Sequence, residues 1–123
     1  MTQDVVKKYE KKNKISLKQP GVYLIVHEGD ENISSFIKIG FSSNLFNRLR
    51  AYPEGTKIYD IKLIDYDLVY FLEGICSLYL CFIGYKKISN DYFRYNETIR
   101  AYKGYFFVMV ENEIEKIITR REK

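Results

Sequence analysis

Two short runs, Gly21-Val22-Tyr23-Leu24-Ile25-Val26 and Ser35-Phe36-Ile37-Lys38-Ile39-Gly40-Phe41, decide how the rest of this chain is read. The first is rich in β-branched and aromatic residues and follows the turn signal Gln19-Pro20-Gly21, so it reads as a strand. Polar Glu28-Gly29-Asp30-Glu31-Asn32 breaks it. In the second run, alternation places Phe36, Lys38 and Gly40 on one face. The pair reads as an antiparallel hairpin with a loop long for its type.

Working outward, Ser42-Ser43 offers a helix N-cap, and Asn44 to Tyr52 sets Leu45, Leu49 and Tyr52 along one helical face. Pro53-Glu54-Gly55-Thr56 ends that helix, and a third strand runs near Ile58 to Asp65. Asp67 caps the next element, and Leu68 to Tyr85 reads as one long helix. An irregular aromatic region follows Ser89-Asn90-Asp91, and Val110, Ile114, Ile117 and Ile118 carry helical spacing. Upstream, residues 3 to 14 form a short amphipathic helix through Val5, Val6 and Tyr9. The expected architecture is α+β: a three-stranded antiparallel sheet flanked by helices. Residues 1–18 are read as a basic N-terminal arm and residues 19–123 as a single domain.

Composition narrows the chemistry. A chain of 123 residues, 46% hydrophobic and 29% charged, fits one globular domain. One histidine, His27, and two cysteines supply three ligands where a Cys/His zinc site needs four. A nuclease built on several histidines is excluded as well. Cys76 and Cys81 would stand about 140° apart on a helix and cannot pair. A polar, charged N-terminus without a secretory signal adds to the expectation of a reducing, intracellular setting. The net charge of +4 permits an acidic partner without demanding one. The charge is uneven: Lys7, Lys8, Lys11, Lys12, Lys14 and Lys18 crowd the first eighteen residues against Asp4 and Glu10. Lys7, Lys8, Lys11 and Lys12, with Arg50, are the candidate phosphate contacts; a solvated helical face is the plainer reading.

Leu68 to Tyr85 touches the lower length limit of a membrane span. Glu73 in its first third, with Gly74, Gly84 and several tyrosines, argues for the central helix of a soluble core instead. Glu73 is the only charged side chain between Asp67 and Lys86. A carboxylate among buried neighbours is normally paired, wetted in a cleft, or bound to metal. Tyr70 and Ser77, three and four residues away, give that stripe polar tips. A salt bridge to Arg48 or Lys38 is the structural alternative; a metal-binding carboxylate on a cleft floor is the functional one.

In this order, the features resemble the GIY-YIG nuclease superfamily. Gly21-Val22-Tyr23 is similar to its first motif and Lys38-Ile39-Gly40 to its second, in the phage and large-DNA-virus branch whose second motif reads KIG. The stretch from Lys38 through Asn44-Leu45 to Arg48-Leu49 follows that branch closely. Arg48, ten residues after Lys38, stands at the spacing of the family's catalytic arginine. Tyr52 takes the place of a His or Tyr, Glu73 that of the metal-binding glutamate, and Asn90-Asp91-Tyr92-Phe93 that of a short Gly-Glu-Trp-Phe-type motif. The resemblance covers residues 20 to 95. Lys38 replaces the second tyrosine, residues 28–34 lengthen the hairpin loop, and Ser77 stands where a histidine is usual.

The resemblance implies a metal-dependent endonuclease hydrolysing DNA phosphodiester bonds. It assigns Tyr23 to acting as, or orienting, the general base, with Lys38 as the neighbouring cation that makes a phenol useful at neutral pH. Arg48 would meet a phosphoryl oxygen, Tyr52 the nucleophile or phosphate, and Glu73 one Mg²⁺ or Mn²⁺. With no room for a recognition domain in 123 residues, such a nuclease would be weakly selective or rely on a separate targeting protein. Two rivals are weighed beside it. One is a catalytically inactive module of the same fold binding nucleic acid or protein. The other takes Asp60-Ile61-Lys62 as the tail of a PD-(D/E)xK nuclease motif.

Overall fold

The computed structural model describes residues 1–122. The hairpin forms as β1 (Gly21–His27) and β2 (Phe36–Ser42), antiparallel, with Tyr23 opposite Gly40 and Ile25 opposite Lys38. After α2 (Leu45–Arg50), β3 (Lys57–Leu63) returns antiparallel to the other side of β1. β1 is therefore central, and every one of its residues is buried. Val22, Leu24 and Val26 meet one core; Tyr23 and Ile25 meet a second on the opposite face. Burial on both faces explains why β1 is a continuous apolar run with no polar alternation.

One face is covered by α3 (Tyr66–Phe82) and α4 (Phe106–Glu122), which add Val69, Leu72, Cys76, Leu80, Phe106 and Val110 to the first core. The other is covered by α1 (Gln3–Asn13) and α2 through Val6, Leu45 and Leu49. The segment expected as a basic arm is thus seated on the sheet. Thr2 caps α1, Lys14 closes it in a left-handed conformation (φ 55°), and Leu17 is fully buried. Leu17 also lends its carbonyl to the Phe46 N–H (2.8 Å), tying the segment to α2.

The chain is α+β with a five-stranded antiparallel sheet, in the order β3-β1-β2-β5-β4, and not the three strands expected. The additional pair is β4 (Lys87–Ser89) and β5 (Tyr92–Phe93), joined by Asn90 and Asp91, both at positive φ (29° and 65°). Asn and Asp are the non-glycine residues that accept this conformation most readily, and tight two-residue hairpins require it. Strands of three and two residues are too short to leave a periodic signal, so the sequence reads there as irregular. A 3₁₀ helix (Glu97–Tyr102) leads into α4.

Helix ends also moved. The N-cap of α2 is Asn44, whose side chain accepts the Asn47 N–H (3.2 Å), and not Ser42 or Ser43. α3 starts at Tyr66, with Asp65 as its N-cap two residues before the expected Asp67, and stops at Phe82; Gly84, at φ 103°, turns the chain away. α4 starts four residues early because Asp60, on β3, accepts the Phe107 N–H (2.9 Å) and so caps it from a distance. That contact and the Lys62–Glu111 ion pair (3.0 Å) give Asp60-Ile61-Lys62 a structural task and remove the support for the PD-(D/E)xK reading. Cys76 and Cys81 are both free. No described helix is long and apolar enough to cross a membrane.

Candidate active site

Tyr23 points from β1 onto the face covered by α1 and α2, directly opposite Gly40 of β2. A Cβ added at Gly40 would fall on the Tyr23 phenol, so only glycine leaves room for this ring. The glycine of the second motif and the tyrosine of the first are therefore one steric unit. Replacing Gly40 by alanine is expected to lower stability by about 1–3 kcal/mol through overpacking, read as a depressed Tm. An unchanged Tm would separate the two residues.

The Tyr23 ring is fully buried and its hydroxyl is 2.5 Å from the Tyr52 hydroxyl at the end of α2. Arg48, one turn earlier on α2, donates its Nε–H to the Tyr23 oxygen at 3.4 Å. Burial holds the Tyr23 pKa above the ordinary tyrosine value, although the hydrogen bonds from Tyr52 and Arg48 oppose the rise. Burial likewise drives Tyr52 upward, with Tyr23 reinforcing it. Both are neutral phenols near pH 7. The cation addressing Tyr23 is Arg48, which corrects the expectation that Lys38 would fill that role.

Lys38 points the same way from β2 but engages a different set of partners. Its ammonium donates to the Asn90 carbonyl (3.2 Å) and lies over the Tyr92 ring, 4.1 Å from the centroid. Burial lowers its pKa, while Asp91 and Glu73 pull it back up and Arg48 repels it. Lys38 thus stands between the Arg48–Tyr23–Tyr52 group and a carboxyl pair.

That pair is Glu73 with Asp91. Glu73 is buried on α3, and its pKa is pushed up to about 7, by burial first and then by sharing a proton with the Asp91 carboxylate. Burial also acts upward on Asp91. The Glu73 proton, the Ser77 hydroxyl (2.8 Å) and Lys87 (3.5 Å) outweigh it, leaving Asp91 below the usual carboxylate range. Among the described residues Glu73 makes no direct ion pair with Arg48 or Lys38, so the salt-bridge alternative gives way to a carboxyl pair. β5 pairs with β2 only at Ile37 and Lys38, and the Ile39 N–H goes to the Asp91 carbonyl (3.1 Å). The tight β4–β5 turn thereby sets Asp91 at the β2 edge, within reach of a helix on the far face.

Of the five candidates, Tyr23, Arg48 and Tyr52 form one hydrogen-bonded group, and Lys38 stands electrostatically between it and Glu73; two further residues join the set. Asp91 completes the carboxyl pair, and Tyr92 supports Lys38 while packing edge-to-face on Phe36 (5.5 Å). Both lie in the Asn90-Asp91-Tyr92-Phe93 stretch, whose motif likeness was the one signal available. Ser77, in the place of the usual histidine, holds Asp91. The basic residues behave differently. Lys7, Lys8, Lys11 and Lys12 are exposed on α1 and Arg50 stacks over Phe46 (5.7 Å); none contacts Tyr23, Arg48 or Glu73.

The donor set fits a hard divalent cation: two adjacent carboxyls, one already ionised, share charge that Mg²⁺ or Mn²⁺ would neutralise. The described residues contain no group of three or more His, Cys, Asp or Glu that could hold a metal ion, so water and substrate would supply the remaining ligands. In comparisons with known proteins, the chain matches no family model, no curated protein and no solved structure.

Proposed function

We propose that this protein is a metal-dependent endonuclease of GIY-YIG type that hydrolyses DNA phosphodiester bonds inside the cell. The observation that carries this reading is the hydrogen-bonded Tyr23–Arg48–Tyr52 group, with Lys38 standing between it and the Glu73–Asp91 pair. Phosphodiester hydrolysis needs a positioned water, cations on the phosphoryl oxygens and help for the leaving oxygen.

Tyr23, held by Arg48 and Tyr52, orients the attacking water through its oxygen; only its minor phenolate form, whose negative charge Arg48 offsets, takes the water proton and returns to the phenol. Arg48 presents a planar fork to a phosphoryl oxygen. Lys38 adds positive potential between the two groups. Glu73 and Asp91 would hold the cation, which supplies Lewis-acid stabilisation of the phosphate when bound.

A supercoiled plasmid incubated with Mg²⁺ or Mn²⁺ tests the reading: nicked circles appear with metal and are abolished by chelator. Because Glu73 holds its proton up to about pH 7, the Mg²⁺ concentration for half-maximal nicking should fall as pH rises from 6 to 8. A metal requirement that stays flat over that range would remove Glu73 from the cation site. One observation favours the catalytically inactive module: the Tyr23 hydroxyl is buried and already engaged by Tyr52 and Arg48, as in a packed core. DNA binding without nicking, across both metals, would establish that reading.

A further inference from the structure

A groove of about 650 Å³ runs along the outer edge of β3, on the far side of β1 from the Glu73–Asp91 pair. Lys8 and Lys12 of α1 line one wall, and Lys57 of β3 and Lys103 line the other. All four are exposed, and no carboxylate lines the groove. Glu28 pairs with Lys57 at 3.7 Å but is shared with Arg100 at 3.1 Å, so it neutralises Lys57 only in part. Between the lysines lies an apolar and aromatic floor of Val5, Tyr9, Ile58 and Tyr59. Lys103 sits over the Tyr59 ring, 5.6 Å from its centroid. Thr56 also lines the groove, and its Oγ1 is buried without a hydrogen-bond partner, an arrangement that costs free energy.

We propose that this groove is a binding site for single-stranded nucleic acid, separate from the Tyr23 and Glu73 centre. Anionic phosphates match four exposed lysines of which only Lys57 has a carboxylate partner, itself shared with Arg100, and an unpaired base matches the half-buried Tyr9 ring beside Val5. A duplex keeps its bases stacked inside and cannot place one on that floor. The α1 lysines therefore divide: Lys8 and Lys12 belong to the groove, while Lys7 and Lys11 line a different surface with Lys14. The site goes beyond the nuclease reading, and its test needs no cleavage.

Fluorescence anisotropy of a labelled thymidine 12-mer, with the full chain in EDTA over a salt series, reads the site directly. Lys57→Gln with Lys103→Gln should weaken binding about tenfold at low salt. The slope of log K against log salt should shrink by about 1.4, near 0.7 per lost contact on a single strand. Lys86→Gln with Lys116→Gln, which removes the same charge away from the groove, should leave the slope nearly unchanged. Equal behaviour of the two lysine pairs would overturn the proposal. So would duplex binding stronger than single-strand binding, or binding of phosphatidylserine vesicles but not of the 12-mer. Failure of plasmid nicking alone would count against the nuclease reading and leave these measurements standing.

Discussion

Glu73→Gln is expected to raise the melting temperature at pH 8 while reducing Mg²⁺-dependent plasmid cleavage by orders of magnitude. The stability effect follows from the carboxyl's pKa, raised from 4.5 to about 7 in the fold. Between those values the folded chain binds more protons than the unfolded one, so this group's contribution is fully present below pH 4.5 and is lost as pH rises through 7. Glutamine cannot ionise, and its amide N–H can donate to Asp91 as the protonated glutamate does. The variant should therefore hold its stability at pH 8, with the advantage over wild type vanishing near pH 4. Calorimetric melts at pH 4, 6 and 8 read this. A Tm lowered equally at every pH would mean that Glu73 serves packing alone, and cleavage surviving the substitution would remove it from the metal site.

Tyr23→Phe should cost about 10²- to 10⁴-fold in cleavage rate, the usual contribution of a positioned acid–base group, while DNA affinity stays within a few fold. The phenylalanine ring still fills the space over Gly40. What disappears is the oxygen that receives Arg48 Nε–H and meets the Tyr52 hydroxyl. Leaving those donors without their acceptor should lower stability by about 1–3 kcal/mol, read as a modest fall in Tm. Single-turnover rates set beside binding titrations separate the two effects. Undiminished cleavage would assign the phenol network to packing and favour the inactive module.

Much of this arrangement was legible from local sequence because local sequence encodes periodicity. Side-chain alternation placed Lys38 and Gly40 on one face of β2, and 3.6-residue spacing placed Leu45 and Leu49 on the buried face of α2. The isolated charge in an apolar helix singled out Glu73 before any fold was known. Tyr23, Arg48 and Tyr52 entered as site residues only through the resemblance to the GIY-YIG nucleases, not through any periodicity of their own. The α+β class needed only the succession of these elements.

The tertiary structure decided the pairings. Tyr23 and Tyr52 are 29 positions apart, Asp60 and Phe107 47, and Lys38 and Asn90 52. No periodic signal reaches across such distances. Two- and three-residue strands at β4–β5 carry no period of their own, so neither the fifth strand nor the Asp91 partner of Glu73 could be read in advance. The same holds for charge state. Whether a phenol stays neutral, or a carboxyl keeps its proton to pH 7, depends on burial and on which groups fold against it. Residue identity supplied the ionisable groups; desolvation, which exists only once the chain has packed, set their protonation.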